Sequence, residues 1–480
     1  MSQVVASHET ELETAFARMF PLPLTTIESF MFIDARPEYP MMCDLEMQFQ
    51  GRIERAAFDA ALAQAMARAP IFRSLVRPDE QGRLAWVLTE QQPPVDWAAW
   101  GESHGVDYDT LIDLTVEPGL RVYVRQGDER SSVLLHFHHA CADGIGGFAF
   151  IEDFLAAYSS ASPGAAAIEL RPLDPERLPR RGNPGTDSRS LYRGLADALI
   201  GIREGARFFL QRPQPLAAPS NAPVADCPVR QQTGYLSQEC PAELSAGLRC
   251  AASTLGVSVN DLLIRDLFLA LRSWNARHGR VAGRRQLRIL MPQNLRERAD
   301  RRAPATNLLG FAFVTRRASS FEQPEALLAS IAEETEAVRK GQLSRYFLGG
   351  LAALASAGLL PRVLYGSFCF ATAILTNLGD PTRRFVTRFP RTPEGLQIGD
   401  LVFTHTTGVP PLRPRTGAAF CVFNNARSLA ISLKCDSYRF SQAETQQLLD
   451  HYLSQLETTA AGASNLGSPG GPALPGGATG

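Results

Sequence analysis

An apolar, β-rich run, Val133-Leu134-Leu135-His136-Phe137, passes directly into His138-His139-Ala140-Cys141-Ala142-Asp143-Gly144. A helix-patterned stretch follows, Gly147-Phe148-Ala149-Phe150-Ile151-Glu152-Asp153-Phe154-Leu155. A fold containing this segment must bury a strand and a helix on either side of a short turn crowded with reactive side chains. Neighbouring side chains on an extended backbone point to opposite faces, so one of His138 and His139 can reach a cleft while the other is held by the core. Imidazole, with an unperturbed pKa of about 6.5, takes a proton from a hydroxyl, amine or thiol near neutral pH without help from a metal. Asp143 can orient the ring or pair with a distant cation, and Gly144 permits a positive φ or the close approach of another backbone.

The 480 residues suffice for two domains of ordinary size, and 45% hydrophobic with 20% charged residues is ordinary for a globular protein. Basic and acidic residues balance at 48 and 49, which removes the electrostatic argument for nucleic acid. Lysine occurs only at Lys340 and Lys434, so the cationic surface is almost all arginine. Eight cysteines without a Cys-x-x-Cys pair suggest neither a zinc site nor a disulfide framework, and a reducing compartment fits them. Met1 to Met19 carries His8, Glu9, Glu11, Glu13 and Arg18 with no apolar centre, unlike a secretory signal. No run of about 18 uninterrupted apolar residues predicts a membrane span. The expected location is the cytoplasm.

Along the chain, Leu45 to Gln50 reads as a strand and Ile53 to Arg68 as an amphipathic helix; Leu120 to Val124 and Ser132 to Phe137 read as a hairpin. Residues 161–228 are rich in Pro, Gly, Arg and Ser, broken by one helical stretch from Leu191 to Leu210. Beyond them, Ser258 and Asp261 form a capping box and Leu287 to Met291 a strand. Ala418 to Phe423 and Leu429 to Cys435 form a hairpin around Asn424-Asn425-Ala426-Arg427, and Ser441 with Glu444 caps a last helix to about Leu456. The expected division is a first lobe over 20–165 carrying the histidine motif, a linker with one helix over 166–230, a second lobe over 231–460 and a disordered tail over 461–480. The apolar faces of Leu191 to Leu210 and Tyr346 to Leu360, flanked by Arg193, Arg203, Arg207, Arg345 and Arg362, suit either core burial or peripheral contact with a membrane.

The motif His138-His139-x-x-x-Asp143-Gly144, at its strand-to-helix position, resembles that of the chloramphenicol-acetyltransferase-like acyltransferases. These include peptide-synthetase condensation domains, wax-ester and diacylglycerol synthases, and alcohol acetyltransferases. Leu24 to Phe30 and Ala69 to Val76 are similar to the family's entry segment and its helix-to-strand step. Ser258 to Leu263 resembles the Asn-Asp helix start of the wax-ester synthase branch, Met291 to Arg296 the Arg-bearing strand, and Thr376 to Gly379 the late Asn-Gly element. The resemblance implies an α/β (α+β) fold of two lobes in a V around an active-site tunnel. It implies His139 as catalytic base, with His138, Asp143, Gly144 and Arg296 as structural parts of the site and an Asp143–Arg296 ion pair. Thr376, Asn377 and Asn260 are candidate substrate-binding residues. Asn307-Leu308-Leu309-Gly310 departs from the Gly-x-Phe-Val-Asn pattern of condensation domains, which weakens a peptide-bond role.

The reading favoured by these residues is an acyltransferase, with no bound cofactor, moving an acyl group to a hydroxyl from acyl-CoA or acyl-phosphopantetheine on a carrier protein. The alternatives are a free-standing condensation-type amide synthase and a catalytically silent scaffold that binds carrier or lipid. The donor thioester and a small alcohol or amine are the expected partners, nucleic acid is not, and a monomer is expected. His136, His138, His139 and Asp143 could also be read as metal ligands, but the remaining histidines lack ligand-like company, so no metal is expected. Gly144-Ile145-Gly146-Gly147 lacks the spacing of a dinucleotide fingerprint.

Overall fold

The computed structural model describes all residues except 1, 106–107, 166–167, 183–202, 204, 206, 220–229, 231, 280–285, 342, 367, 381–384, 386–387, 426–427 and 467–480. The first half begins with helix α1 (Ser2–Met19), strand β1 (Leu22–Pro23) and α2 (Thr26–Asp34), followed by β2 (Met42–Gln50) and α3 (Arg55–Ala67). Next come β3 (Ser74–Pro78), β4 (Leu84–Leu88), β5 (Val95–Ala99), β6 (Leu120–Gln126), β7 (Arg130–His138) and α4 (Gly144–Ala161). Strands β2, β7, β6 and β5 lie side by side in that order, antiparallel except for the β5–β6 pair, and β1, β4 and β3 make a small separate sheet. Phe72 stands edge-on to Phe137 of β7 at 5.6 Å and to Phe150 of α4 at 5.3 Å, tying helix layer to sheet. Phe58 of α3 meets Phe154 of α4 at 5.3 Å in the same layer.

The second half contains β8 (Leu236–Glu239), α5 (Ala242–Leu255), α6 (Val259–Arg277), β9 (Gln286–Asn294), β10 (Leu309–Arg317), α7 (Pro324–Gly341), α8 (Leu343–Ser356) and α9 (Leu360–Leu364). It ends with β11 (Ala373–Gly379), β12 (Leu396–Ile398), β13 (Leu401–Val409), β14 (Ala418–Asn425), β15 (Ser428–Cys435) and α10 (Gln442–Leu466). Its sheet runs β10-β9-β11-β14-β15-β8, mixed because β11 is parallel to both of its neighbours. Trp274, Phe268, Leu448 and Tyr452 are buried between this sheet and helices α5, α6 and α10.

Strands β12 and β13 do not join that second sheet. They extend the first one, β13 pairing antiparallel with β2 from Val402 opposite Gln50 to Val409 opposite Asp44. Asn425 of β14 accepts from the Thr406 amide at 3.2 Å and donates to its carbonyl at 3.1 Å, so β13 is also held by the second sheet. Residues of the expected second lobe thus complete the first lobe's sheet. Alternating patterns show that a segment is a strand but not which sheet it enters.

Several expected elements stand close to their sequence-derived limits, including the β6–β7 and β14–β15 hairpins, the Ser258–Asp261 capping box and the Ser441–Glu444 cap. The helix after the histidines starts at Gly144 rather than Gly147, because Asp143 is its N-cap. The last helix runs to Leu466, so residues 461–466 of the expected tail are helical, while 467–480 lie outside the described residues. Most of the expected Leu191 to Leu210 helix also lies outside them; at its end Phe208 is buried and Leu210 is 81% exposed. The Tyr346 to Leu360 stretch is divided between α8 and α9, with Leu351 and Leu360 buried.

Glu28 shows how the start of the linker is fastened. Its carboxylate accepts from the Thr25 amide at 2.8 Å, Trp86 Nε1 at 3.1 Å and Arg181 Nε at 2.7 Å, with both Glu28 and Arg181 buried. Removing one member of a buried, hydrogen-bonded pair strands the other charge and costs about 3–5 kcal/mol. Glu28→Ala is therefore expected to lower the unfolding free energy by an amount of that order, read from the fall in urea midpoint in equilibrium denaturation.

Candidate active site

Strand β7 and the residue after it place three histidines in three different surroundings. His136 holds Asp44 Oδ1 through Nδ1 at 2.6 Å, and Asp44 Oδ2 accepts from the Tyr108 hydroxyl at 3.0 Å. Burial raises the Asp44 carboxyl, but His136 and Tyr108 together hold it below the usual range. His138, 1% exposed, accepts the Ala140 amide on Nδ1 at 3.1 Å, and burial pushes its pKa down to about 3. His139 stands just past the strand end, its amide donating to the Met41 carbonyl at 2.8 Å. With Nδ1 of His136 and of His138 turned to separate partners, the cluster is dispersed rather than convergent.

The tautomer of His139 follows from its neighbour. Nδ1 lies 3.0 Å from the carbonyl oxygen of Ala142, which can only accept, so Nδ1 carries the proton and Nε2 keeps a free lone pair. Burial lowers the pKa of the ring, opposed by the nearby Asp143 carboxylate, so the neutral form prevails at neutral pH. At 9% exposure the side chain still lines a cavity.

Asp143 does not orient the imidazole. Its Oδ1 accepts from the Gly146 amide at 2.7 Å, capping α4, while Oδ2 accepts from Arg296 Nη1 at 2.8 Å and the Leu308 amide at 2.8 Å. Burial raises this carboxyl and Arg296 with the two amides lowers it further, leaving it below the usual carboxylate range. Arg296 Nη2 also donates to the Thr306 carbonyl at 2.7 Å, and Asn307 Nδ2 donates to the carbonyls of His139 at 2.9 Å and Ala140 at 2.8 Å. The segment between β9 and β10 thus grips the loop on which the histidine stands. Gly144 has no positive φ and abuts the Leu378 side chain, not a backbone; the glycine that admits a backbone is Gly146, whose Cβ would stand 2.4 Å from the Thr306 oxygen.

The cavity beside His139 measures about 110 Å³ and lies where the two halves meet. Cys43, Phe137 and Ile145 contribute from the first half; Pro292, Leu309, Thr376, Leu378 and Cys421 contribute from the second. Thr376 Oγ1 is buried without a hydrogen-bond partner among the described residues. Asn377 also lines the cavity, but its amide is engaged, donating to Asn260 Oδ1 at 3.2 Å and accepting from the Gly379 amide at 3.0 Å. Asn260, at the start of α6, braces Asn377 and is not among the residues lining the cavity. Asn307 and the Leu308 amide had no signal in the sequence beyond a pattern read as a departure.

Comparison with known proteins agrees with this architecture. The family profile described as wax ester synthase/diacylglycerol acyltransferase catalytic domain matches residues 126–263, which include the histidine loop. An uncharacterized protein of Mycobacterium tuberculosis H37Rv is 26% identical over 331 residues, covering 65% of this chain and 71% of the relative. A protein of the same organism named probable diacyglycerol O-acyltransferase Tgs4 is 25% identical over 374 residues, covering 72% of this chain and 74% of the relative. Among solved structures, the first condensation domain of the CDA synthetase aligns with a TM-score of 0.65 at 15% identity, over 92% of this chain and 96% of that one. The starter condensation domain of rhizomide synthetase, in complex with C8-CoA, aligns with a TM-score of 0.61 at 14% identity, over 92% and 95%. At such identities the structural likeness concerns the fold. The chain is thus similar to the wax ester synthase/diacylglycerol acyltransferase group over part of its length, and it has the two-lobed fold of condensation domains. Its relatives support acyl transfer as the general activity. No helix of the described residues is long and apolar enough to cross a membrane.

The depressed pKa of His138 has a consequence for stability. The unfolded chain binds a proton there below about pH 6.5, the folded chain only near pH 3, so stability falls as pH drops through that window. The Asp143 contribution is lost lower, below about pH 4. His138→Asn keeps an acceptor for the Ala140 amide and should flatten the decline between pH 6.5 and 4.5, read from urea midpoints across that range.

Proposed function

We propose that this protein transfers an acyl group from a coenzyme A or carrier-protein thioester to a hydroxyl acceptor, with His139 as general base. The observation that carries the reading is the tautomer: Ala142 fixes the proton on Nδ1, so Nε2 is the basic atom on a cavity-lining ring kept neutral by burial. Nε2 takes the acceptor proton as the acceptor oxygen forms its bond to the thioester carbonyl carbon. The carbonyl π electrons move onto oxygen, and the unpartnered Thr376 hydroxyl is available to donate to that oxyanion. Collapse of the intermediate breaks the carbon–sulfur bond, and the imidazolium returns its proton to the leaving thiolate. Donor and acceptor exchange the acyl group without a covalent enzyme intermediate. The predominantly apolar wall, including Phe137, Ile145, Pro292, Leu309 and Leu378, limits competing water.

Oxygen is favoured as acceptor because the named diacylglycerol relatives are, by name, O-acyltransferases. The competing reading is amide synthesis with carrier-bound substrates, which the condensation-domain fold would also serve. Peripheral contact with lipid belongs to the same proposal, supported by exposed Phe209, Leu210, Leu359 and Tyr365. Co-sedimentation with anionic vesicles is the expected result, and a protein left entirely in the supernatant refutes this part.

Incubation of acyl-CoA mixtures with alcohols and amines, followed by mass spectrometry, is expected to yield esters. Amides alone would favour the competing reading, and silence across a broad panel would favour a non-catalytic scaffold. General-base catalysis contributes roughly 10²- to 10⁴-fold, so His139→Ala should lose turnover on that scale with an unchanged melting temperature.

A further inference from the structure

The backbone beneath His139 is held by a side chain that does not line the cavity. After β7 ends, the carbonyls of His139 and Ala140 lack a strand ladder, and buried carbonyls need donors. Asn307, 0% exposed on the segment entering β10, meets both with its amide nitrogen, at 2.9 and 2.8 Å. Because carbonyls only accept, the amide can face them in one orientation. Its Oδ1 is buried with no hydrogen-bond partner among the described residues, and the side chain also helps to hold up the pKa of the His139 ring. The adjacent Leu308 amide grips Asp143 at 2.8 Å, and the Met41 carbonyl accepts from the His139 amide on the opposite side.

We propose that Asn307 is a positioning residue for the base. Delivered by the second half of the chain, its amide sets the backbone from which the His139 ring projects, and thereby the aim of Nε2 into the cavity. This inference rests on the general-base reading. Misplacing a reacting group by about 1 Å can cost on the order of 10²-fold in rate, whereas a residue without contact to substrate should leave ground-state binding nearly intact. The Asn307 side chain also opposes the lowering of the ring's pKa by burial, so removing it moves the protonation midpoint further down. The titratable groups around that ring are Asp143, already paired with Arg296, neutral His138 behind it, and Asp44, Cys43 and Cys421 in the cavity wall.

The test compares wild type, Asn307→Ala, Asn307→Ser and His139→Ala, using the acyl-CoA and acceptor pair that gives most product in the panel. Steady-state kinetics are paired with the pH dependence of carbethoxylation of His139 by diethyl pyrocarbonate, read by peptide mass spectrometry. Asn307→Ala should lose kcat by about 10²-fold with KM changed less than about threefold, and its carbethoxylation midpoint should fall below the wild-type value. Asn307→Ser, which keeps one donor on a shorter arm, should fall between it and wild type. A folded Asn307→Ala with wild-type kcat and midpoint overturns the positioning role while His139→Ala stays inactive. A His139→Ala protein with undiminished rate overturns the general-base reading itself. A loss confined to KM, or failure of both Asn307 variants to fold, identifies the amide as binding or fold-holding and likewise overturns the proposal.

Discussion

The carboxylate of Asp143 is the point on which the two halves of this chain agree. A buried charge is tolerated only when its lone pairs are met, and here they are met from both directions. The Gly146 amide approaches from its own helix, while Arg296 and the Leu308 amide approach from the strand pair across the junction. This one group caps α4, anchors the loop after β7 and docks the segment between β9 and β10. The histidine beside it is placed by these attachments without being bonded to the carboxylate. Its own proton goes to the carbonyl of Ala142 within the same loop.

That arrangement separates tasks often vested in one acid–base pair. In a triad, a carboxylate both orients the imidazole and stabilises its charged form. Here a neutral carbonyl orients the ring and the carboxylate is committed elsewhere, although its field still opposes the lowering of the ring's pKa by burial. In the proposed transfer the imidazolium would have no directly bonded anion, which would favour prompt return of its proton to the leaving sulfur. The one nearby histidine that does bond a carboxylate, His136, belongs to a buried group with Asp44 and Tyr108.

Local sequence carried much of this and distant pairing little. The strand, the turn and the helix around the two histidines could be read because hydrophobic alternation, capping residues and glycines act within a few positions of one another. The resemblance then singled out Arg296, which the structure brings to Asp143 from 153 positions away. Asn307 is not legible because its meaning is entirely tertiary: nothing in Asn-Leu-Leu-Gly announces two carbonyls in the loop after β7. From sequence Asp143 reads as orienter or ion-pair partner, and its capping of α4 is hidden because Gly144 to Gly147 looks like a weak helix start. The expected role of Asn260 at substrate weakens for a similar reason, for its side chain is spent on Asn377.

The registration of β13 on β2 bears on how this chain can be divided. Were the polypeptide severed between the halves, the amino-terminal piece would be left with β2 as a bare edge, nine residues long and largely apolar on one side. Such an edge recruits foreign strands, so the fragment should behave as an aggregating orphan and not as a miniature of its lobe. Gene fusion, splitting for complementation or swapping one lobe between relatives would have to carry 396–409 along with the amino-terminal lobe, although those residues are encoded near the other end.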